Sequence, residues 1–256
     1  MSPSCPAGCA DLNATHPTQF QKPFLIIETG QPVPSMRRHG RFPHWIRVAA
    51  GLHRDEAVVV DVRDEAPPRR EGFAGVMVTG SAAMVTESHA WSHAAGDWLK
   101  AAANAGFPVL GICYGHQLLA HALGGQVGDN PAGREMGTVR VALTAEAATD
   151  PLFNGLPPVV AAQVTHLQTV LAPPPGATVL AASDQDACMA FRGGERAWGV
   201  QFHPEFSATH MRGYVHARAS ALRDEGRDVD ALCRTIRATP VARSVLHRFI
   251  RLARAN

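Results

Sequence analysis

The chain has 256 residues and a formal net charge of +2, from 24 basic and 22 acidic side chains. This near balance argues against nucleic acid as a partner, because nucleic-acid binding usually requires a strongly basic surface. No apolar run approaches the roughly 18 residues that cross a bilayer, so no membrane partner is expected. Five cysteines, an odd number, favour free thiols in a reducing compartment, and we predict a cytoplasmic protein.

The N-terminal half alternates predicted strands with predicted helices. Residues 1–22 are rich in Pro, Ala and Thr and lack periodicity, so we expect a loose leader there. Beyond it, short apolar runs predict buried strands, and apolar residues at helical spacing predict helices. In chain order these are a strand at 24–27, a helix at 42–52, strands at 57–62 and 75–79, a helix at 88–104, a strand at 108–112 and a helix at 115–123. This alternation is typical of a parallel sheet with helices on both faces.

The pattern changes after Gly125 to short apolar runs separated by Pro and Gly turns. The predicted strands are 138–144, 159–165, 177–182, 187–191 and 197–202. They indicate an antiparallel or mixed extension of the sheet. A helix at 207–225 follows, and residues 228–255 predict two helices broken at Pro240. We expect the apolar stripe of the last helix to pack onto the domain, with a partner surface as the alternative.

These elements predict an α/β fold with a mixed, mainly parallel central sheet and helices on both faces. We assign residues 23–225 to one domain and residues 226–256 to a helical C-terminal extension. The sequence shows no internal repeat and no low-complexity linker between them.

One cysteine stands at the turn between a predicted strand and a predicted helix. Cys113 follows an apolar run, and glycines lie two residues to either side of it, at Gly111 and Gly115. A Cβ atom at either glycine would crowd a sharp turn of this kind. The sulfur then lies at a helix N-terminus, where free N–H groups and the helix dipole favour the thiolate. The turn predicts a nucleophile, and a buried, inert cysteine is the alternative.

A histidine suited to act as its base ends a later strand. His203 directly follows the strand at 197–202, Pro204 ends that strand, and Glu205 is close enough to accept a hydrogen bond from the imidazole. A cysteine nucleophile needs a general base, and that base needs a group to orient it. The sequence therefore predicts a Cys-His-Glu triad, although an isolated histidine at a strand end is usually a surface or capping residue.

Two segments together resemble the paired signature of class I glutamine amidotransferases. They are GICYGHQ around Cys113 and VQFHPE around His203 and Glu205. The resemblance implies a flavodoxin-like fold, with Cys113 as nucleophile, His203 as general acid and base, and Glu205 as the residue that orients it. The outer parts of the chain, around Gly30 and around Pro240, resemble a stand-alone subgroup similar to the glutaminase part of GMP synthase.

The same resemblance implies how substrate would be held. The backbone N–H groups of Gly80 and Tyr114 match the oxyanion hole of the family. The residues that match its substrate-binding positions are Gln117, Ser81, Met136, Gly137 and His166. The chain departs from the family in two places. Many members have Gly-Gly-Pro where this chain has Thr79-Gly80-Ser81, and an acid often stands where this chain has Gln168.

The activity implied by the resemblance is hydrolysis of the side-chain amide of glutamine through a Cys113 thioester. The sequence has no Gly-rich phosphate loop, so any synthetase that accepts the ammonia would be a separate chain. A γ-glutamyl peptide or amide hydrolase with the same triad is the alternative, and a non-catalytic binding or regulatory module is a third. A cysteine-elbow protein resembling the DJ-1/PfpI family would have His where Tyr114 stands. The oligomeric state is not predicted.

Two short motifs have residue types that could bind a metal. Cys5 and Cys9 lack a second pair that would complete a zinc site. His89 and His93 share a helix face without an acidic third ligand. We therefore expect no metal, and the resemblance implies no cofactor.

Overall fold

The structure is a computed structural model that describes residues 21–255. Most of the predicted leader at 1–22, with Cys5 and Cys9, lies outside the described residues. The strands are β1 (Phe24–Glu28), β2 (Ala57–Asp61), β3 (Val76–Val78), β4 (Val109–Ile112), β5 (Gln126–Asp129), β6 (Glu135–Leu143), β7 (Val159–His166), β8 (Gln168–Ala172), β9 (Thr178–Ala182), β10 (Ala190–Gly193) and β11 (Ala197–Val200). The α-helices are α1 (Phe42–Ala50), α2 (Ala90–Asn104), α3 (Tyr114–Ala122), α4 (Ala208–Ala217), α5 (Ala219–Asp224), α6 (Val229–Thr235) and α7 (Pro240–Arg254).

The main sheet has nine strands in the order β2-β1-β3-β4-β11-β10-β9-β6-β7. The first five are parallel to one another, and the pairs from β11 to β7 are antiparallel. This arrangement confirms the predicted mixed sheet, with its parallel part from the N-terminal half and its antiparallel extension from the later strands. β11 joins the two parts, because it is parallel to β4 and antiparallel to β10.

Helices cover both faces of the parallel part, as predicted. Phe24 and Ile26 of β1 pack on one face with residues of α1 and α7, whereas Leu25 and Ile27 pack on the other face with α2 and α3. Side chains of a strand point alternately to the two faces of its sheet. A strand buried on both faces must therefore be apolar throughout, which explains the continuous run that identified β1.

The structure differs from the prediction in two details. The sequence did not reveal β5 and β8, which pair only with each other. β5 contains a single large apolar residue, Val127, so it has no apolar run to identify it. The helix predicted at 207–225 is two helices, α4 and α5, which separate at Arg218.

The C-terminal helix α7 packs into the main core rather than presenting a free apolar face. Its buried side chains are Ala242, Val245, Leu246, Phe249, Ile250 and Ala253. They differ from the predicted stripe at its margins, where Val241 and Leu252 are only partly buried. No helix within residues 21–255 is long and apolar enough to span a membrane.

The packing of α7 can be tested at its most buried aromatic residue. The Phe249 ring is fully buried, with its centroid 6.3 Å from that of Phe24 and 6.4 Å from that of Trp198. Phe249→Ala leaves a cavity between helix and sheet, so we expect the free energy of unfolding to fall by about 3–5 kcal/mol in urea denaturation. Arg251→Ala, an exposed change on the same helix, is the control. A loss below about 1 kcal/mol for Phe249→Ala would contradict this packing.

Candidate active site

The strained turn predicted at Cys113 is present. Cys113 lies between β4 and α3 with φ 53° and ψ −103°, a conformation that a side chain normally avoids. A Cβ atom at Gly111 would overlap the backbone of Gly115, and one at Gly115 would lie 2.7 Å from the carbonyl oxygen of Val78. Only glycine fits at both positions. Such strain is retained where the surrounding structure imposes it, and it often accompanies function.

Strand pairing brings the second motif of the predicted triad to the same place. β4 and β11 are parallel neighbours in which Ile112 pairs with Val200. The backbone N–H of Cys113 donates a hydrogen bond to the Val200 carbonyl at 2.8 Å. Because the carboxyl ends of both strands meet at one edge of the sheet, the residues that follow them, Cys113 and His203, lie side by side.

His203 and Glu205 form a buried pair next to Cys113. The Nδ1 atom of His203 lies 2.7 Å from Oε1 of Glu205, and both side chains are almost fully enclosed. The imidazole stacks on Phe206, with ring centroids 4.1 Å apart. Among the described residues, Nε2 of His203 has no hydrogen-bond partner. The second ring nitrogen is therefore free to exchange a proton with the Cys113 thiol or with a ligand.

Charge around His203 favours its protonated form. Burial by itself would lower the pKa of the imidazole, but the negative charges of Glu205 and of the Cys113 thiolate outweigh it and raise the pKa from 6.5 to about 10. A thiolate and an imidazolium stabilise each other when they are adjacent and shielded from water. The site therefore favours an imidazolium at His203, next to the sulfur of Cys113.

Two backbone N–H groups near Cys113 are unpaired among the described residues. Within residues 21–255, the N–H groups of Gly80 and Tyr114 have no hydrogen-bond acceptor. Gly80 also approaches the triad closely, since a Cβ atom there would lie 3.0 Å from Cε1 of His203 and 3.6 Å from Cβ of Cys113. Free N–H groups in this position can stabilise a developing oxyanion.

Side-chain hydrogen bonds hold the loop that carries Gly80. The Thr29 hydroxyl donates to the Thr79 carbonyl at 3.0 Å, and the Thr29 N–H donates to the Thr79 hydroxyl at 3.0 Å. The Ser81 hydroxyl donates to the Thr29 carbonyl at 2.9 Å and accepts from the N–H of Ala83 at 3.1 Å. Thr79-Gly80-Ser81, which departs from the Gly-Gly-Pro of many family members, thus has its own means of fixing this loop.

A cavity of about 100 Å³ opens onto Cys113. Of the residues matched to substrate-binding positions, Ser81, Gln117 and His166 border it. The amide nitrogen of Gln117 already has two hydrogen-bond acceptors, because it donates to the Gln168 carbonyl at 2.7 Å and to Oε1 of Gln201 at 2.9 Å. These bonds fix the orientation of the Gln117 side chain in the cavity wall.

Met136 and Gly137 do not border this cavity in the described part of the chain. Met136 is buried in a separate apolar cluster with residues of α1 and α4, and Gly137 lies against Leu232 of α6. The resemblance to the family's substrate-binding segment covers residues 134–137. Of these residues, Arg134 is the one that borders the cavity.

The wall behind His166 is a buried acid–base cluster. The two ring nitrogens of His166 lie 3.0 Å from the Gln168 carbonyl oxygen and 3.0 Å from Oε2 of Glu135. Potential ligand atoms of Glu135, His166 and Asp186 lie within 4.8 Å of one another. These three residues, rather than His89 and His93, have the spacing that a divalent cation would require. The hydrogen bonds of His166 also account for its place in the cluster without a metal, because buried polar groups need hydrogen-bond partners.

Sequence reasoning missed two cationic side chains at the cavity. Arg134 and Arg218 both border it. Arg218 lies at the junction of α4 and α5, inside the stretch that the sequence predicted as one continuous helix. Arg134 stands in a segment, 134–137, that resembles a wall of the family's glutamine pocket, although only Met136 and Gly137 of that segment were assigned to the site. Arg218 has no motif around it, so the sequence contained no signal that distinguished it.

A larger cleft of about 660 Å³ lies at the opposite end of the parallel strands. Its wall includes Ala74, Pro108 and Arg196, which precede β3, β4 and β11, and none of the residues predicted for the active site. Ligands of open α/β sheets bind at the carboxyl ends of the strands. The smaller cavity at Cys113, rather than this cleft, is therefore the candidate active site.

Comparison with known proteins identifies the class to which this fold and site belong. The sequence model of the class-I glutamine amidotransferases matches residues 46–219, well over half of the chain. The chain therefore belongs to the class I glutamine amidotransferase family, a family of enzymes.

Named relatives whose sequences resemble this chain include GMP synthases. The glutamine-hydrolysing GMP synthase of Aeropyrum pernix is 38% identical over 153 residues, which cover 60% of this chain and 28% of that protein. The corresponding enzyme of Thermus thermophilus is 45% identical over 108 residues, which cover 41% of this chain and 20% of the enzyme. One subunit of the glutamine-hydrolysing GMP synthase of Halobacterium salinarum is 33% identical over 174 residues, covering 67% of this chain and 87% of the subunit. The chain thus spans between a fifth and about a quarter of the first two relatives, but most of the Halobacterium subunit.

Solved structures confirm the fold. A glutamine amidotransferase from Thermotoga maritima superposes with a TM-score of 0.70 at 20% identity, over 92% of this chain and all of that one. One from Methylobacillus flagellatus superposes with a TM-score of 0.71 at 22% identity, over 90% of this chain and 95% of the other.

The electrostatic origin of the His203 pKa can be tested directly. Glu205→Gln keeps the size of the side chain and removes its charge, so the pKa of His203 should fall from about 10 by about 1–3 units. NMR titration of ring-labelled histidine, with the His203 signal assigned by His203→Asn, measures both values. Below this pKa His203 is an imidazolium, and above it His203 becomes neutral. Glu195→Gln, an exposed change at the other end of β11, is the control. A His203 that titrates near 6.5 with Glu205 intact would contradict the prediction.

Proposed function

We propose that this enzyme hydrolyses the side-chain amide of glutamine to glutamate and ammonia through a thioester on Cys113. The observation that carries the proposal is that the strained turn at Cys113 lies beside a buried His203–Glu205 pair. In that pair, Nδ1 of His203 lies 2.7 Å from Oε1 of Glu205. Membership of the amidotransferase family supports the same chemistry. In this proposal Cys113 is the nucleophile, His203 the general acid and base, and Glu205 the group that orients and charges His203.

The first half-reaction forms the thioester. The Cys113 thiolate attacks the carboxamide carbon, and the carbonyl oxygen becomes an oxyanion that accepts hydrogen bonds from the N–H groups of Gly80 and Tyr114. Removing one such donor from an oxyanion hole typically costs about 3 kcal/mol of transition-state stabilisation. His203 then donates its proton to the departing nitrogen, so that the C–N bond breaks and ammonia leaves.

The second half-reaction releases glutamate. His203, now neutral, accepts a proton from a water molecule that attacks the thioester carbon. The same two backbone donors stabilise the second oxyanion, and its collapse expels the Cys113 thiolate. Glu205 keeps Nδ1 of His203 occupied throughout, so that Nε2 is the nitrogen that exchanges protons.

We also propose that the ammonia passes to a synthetase on a separate chain. One observation supports this part of the proposal, namely that the chain is similar to a protein named as one subunit of a glutamine-hydrolysing GMP synthase. The γ-glutamyl peptide or amide hydrolase uses the same triad and differs only in the leaving group. A cytoplasmic location remains a prediction from the cysteine content.

The proposed chemistry predicts which thiol reacts with a glutamine analogue. A diazoketone analogue of glutamine should label Cys113, and Cys113→Ala should abolish ammonia release without changing the melting temperature by more than a few degrees. Peptide mapping by mass spectrometry locates the label. Cys188 should stay unlabelled, because burial raises the pKa of its thiol to about 12. Cys233→Ala, which removes a partly exposed thiol on α6, is the control and should retain full activity.

Turnover measurements separate the two substrates. Ammonia release from glutamine is compared with amine release from a γ-glutamyl dipeptide, using the purified chain alone. Fast cleavage of the dipeptide with negligible turnover of glutamine would reject ammonia supply in favour of the hydrolase. A label on a cysteine other than Cys113, or full activity in Cys113→Ala, would reject the triad itself.

A further inference from the structure

The cavity at Cys113 contains a cation that the proposed reaction does not use. Arg218 borders the same cavity as Cys113 and Gln117. Its backbone has φ −108° and ψ 14° at the junction of two helices, so α4 and α5 separate at the residue whose side chain reaches the cavity. The junction thus places a guanidinium beside the proposed substrate.

Arg218 has no counter-ion within residues 21–255. No carboxylate there lies within ion-pair distance of its guanidinium, and its Nε atom is buried without a hydrogen-bond partner. Burial lowers the pKa of Arg218, and the nearby charge of Arg134 lowers it further. Arg218 is thus a partly buried cation without a carboxylate of the described residues in direct contact, and an anionic ligand in the cavity could supply one. By contrast, Arg134 is paired with Glu225, with N–O distances of 2.9 and 3.1 Å.

The rest of the cavity wall also favours an anionic group. None of the residues that border it is Asp or Glu. Gln168 stands where family members often have an acid, and its amide nitrogen donates to the Thr86 hydroxyl at 2.7 Å and to Asp129 at 3.1 Å. The wall therefore has a cation that makes no ion pair within the described part of the chain, and no acidic side chain among the residues that border it.

We propose that Arg218 binds the α-carboxylate of the substrate and selects compounds that carry a free carboxylate on the γ-glutamyl unit. A guanidinium can hold a carboxylate through two parallel hydrogen bonds, a geometry that an ammonium cannot reproduce. With the carboxylate held at Arg218 and the side-chain carbonyl at Cys113, the two ends of one γ-glutamyl group are fixed. This inference rests on the proposed function and assigns Arg218 as its specificity-determining residue.

The test changes the charge on both sides of the contact. Arg218→Met removes the guanidinium, and the α-amide of glutamine replaces the α-carboxylate by a neutral group. We expect Arg218→Met to lower kcat/KM for glutamine about 10- to 100-fold, mainly through KM, and to change kcat/KM for the α-amide less than about 3-fold. Chromatography of the product distinguishes hydrolysis of the side-chain amide from hydrolysis of the α-amide.

Two further variants separate recognition from structure. Arg218→Lys keeps the charge without the planar fork, so its kcat/KM for glutamine should lie between those of the unmodified enzyme and Arg218→Met. Arg223→Met is the matched control, because Arg223 is an exposed arginine of α5, and it should leave both substrates unaffected. Equal losses for glutamine and the α-amide in Arg218→Met, or no loss for either, would overturn the proposal.

A binding measurement keeps the test independent of turnover and of the folding of Arg218→Met. In the Cys113→Ala background, calorimetry should show glutamine bound at least about 10-fold more tightly than its α-amide. Equal affinity for the two would overturn the role of Arg218 while leaving the thioester chemistry intact. Failure of the proposed function would give a different result. The diazoketone would then label a residue other than Cys113, while the protein would still bind glutamine more tightly than its α-amide.

Discussion

The pairing of β4 with β11 is the contact on which the proposed chemistry depends. The two strands are parallel and in register from Val109 to Ile112, and the bond from the Cys113 N–H to the Val200 carbonyl closes the ladder at the edge of the sheet. Residues that are 90 positions apart in the sequence therefore emerge side by side. The tight turn at Cys113 follows from the same packing, because the neighbouring backbone leaves room only for glycine at Gly111 and Gly115.

Electrostatics around this edge divide the site into two parts. Behind Cys113, the buried carboxylate of Glu205 raises the pKa of His203 and favours an imidazolium next to the sulfur. In front of Cys113, the cavity wall has Arg218 as a cation without a partner among the described residues. Low local dielectric strengthens both effects, since burial reduces the screening that water provides. One part is suited to activating a nucleophile and the other to receiving an anionic group.

The fold was predictable where strands are buried on both faces. β1, β3 and β4 were recognised as apolar runs because helices cover both sides of them, and they are neighbours in the sheet. β5 was missed because it has no apolar run, and β8 because its apolar run, from Val170 to Ala172, is only three residues long. The break between α4 and α5 was missed because no Gly or Pro stands at Arg218, so local composition contained no stop signal.

The sequence by itself identified the residues of the proposed triad. Cys113 between two glycines and His203 two residues before Glu205 are local patterns, and local patterns are readable because their geometry depends on adjacent residues. Only the tertiary structure decided which side chains border the cavity at Cys113. Arg134, His166 and Arg218 come from separate elements, and whether such side chains border a cavity depends on how distant strands and helices pack. For the same reason Met136 and Gly137 lie away from the cavity, although their segment reaches it through Arg134.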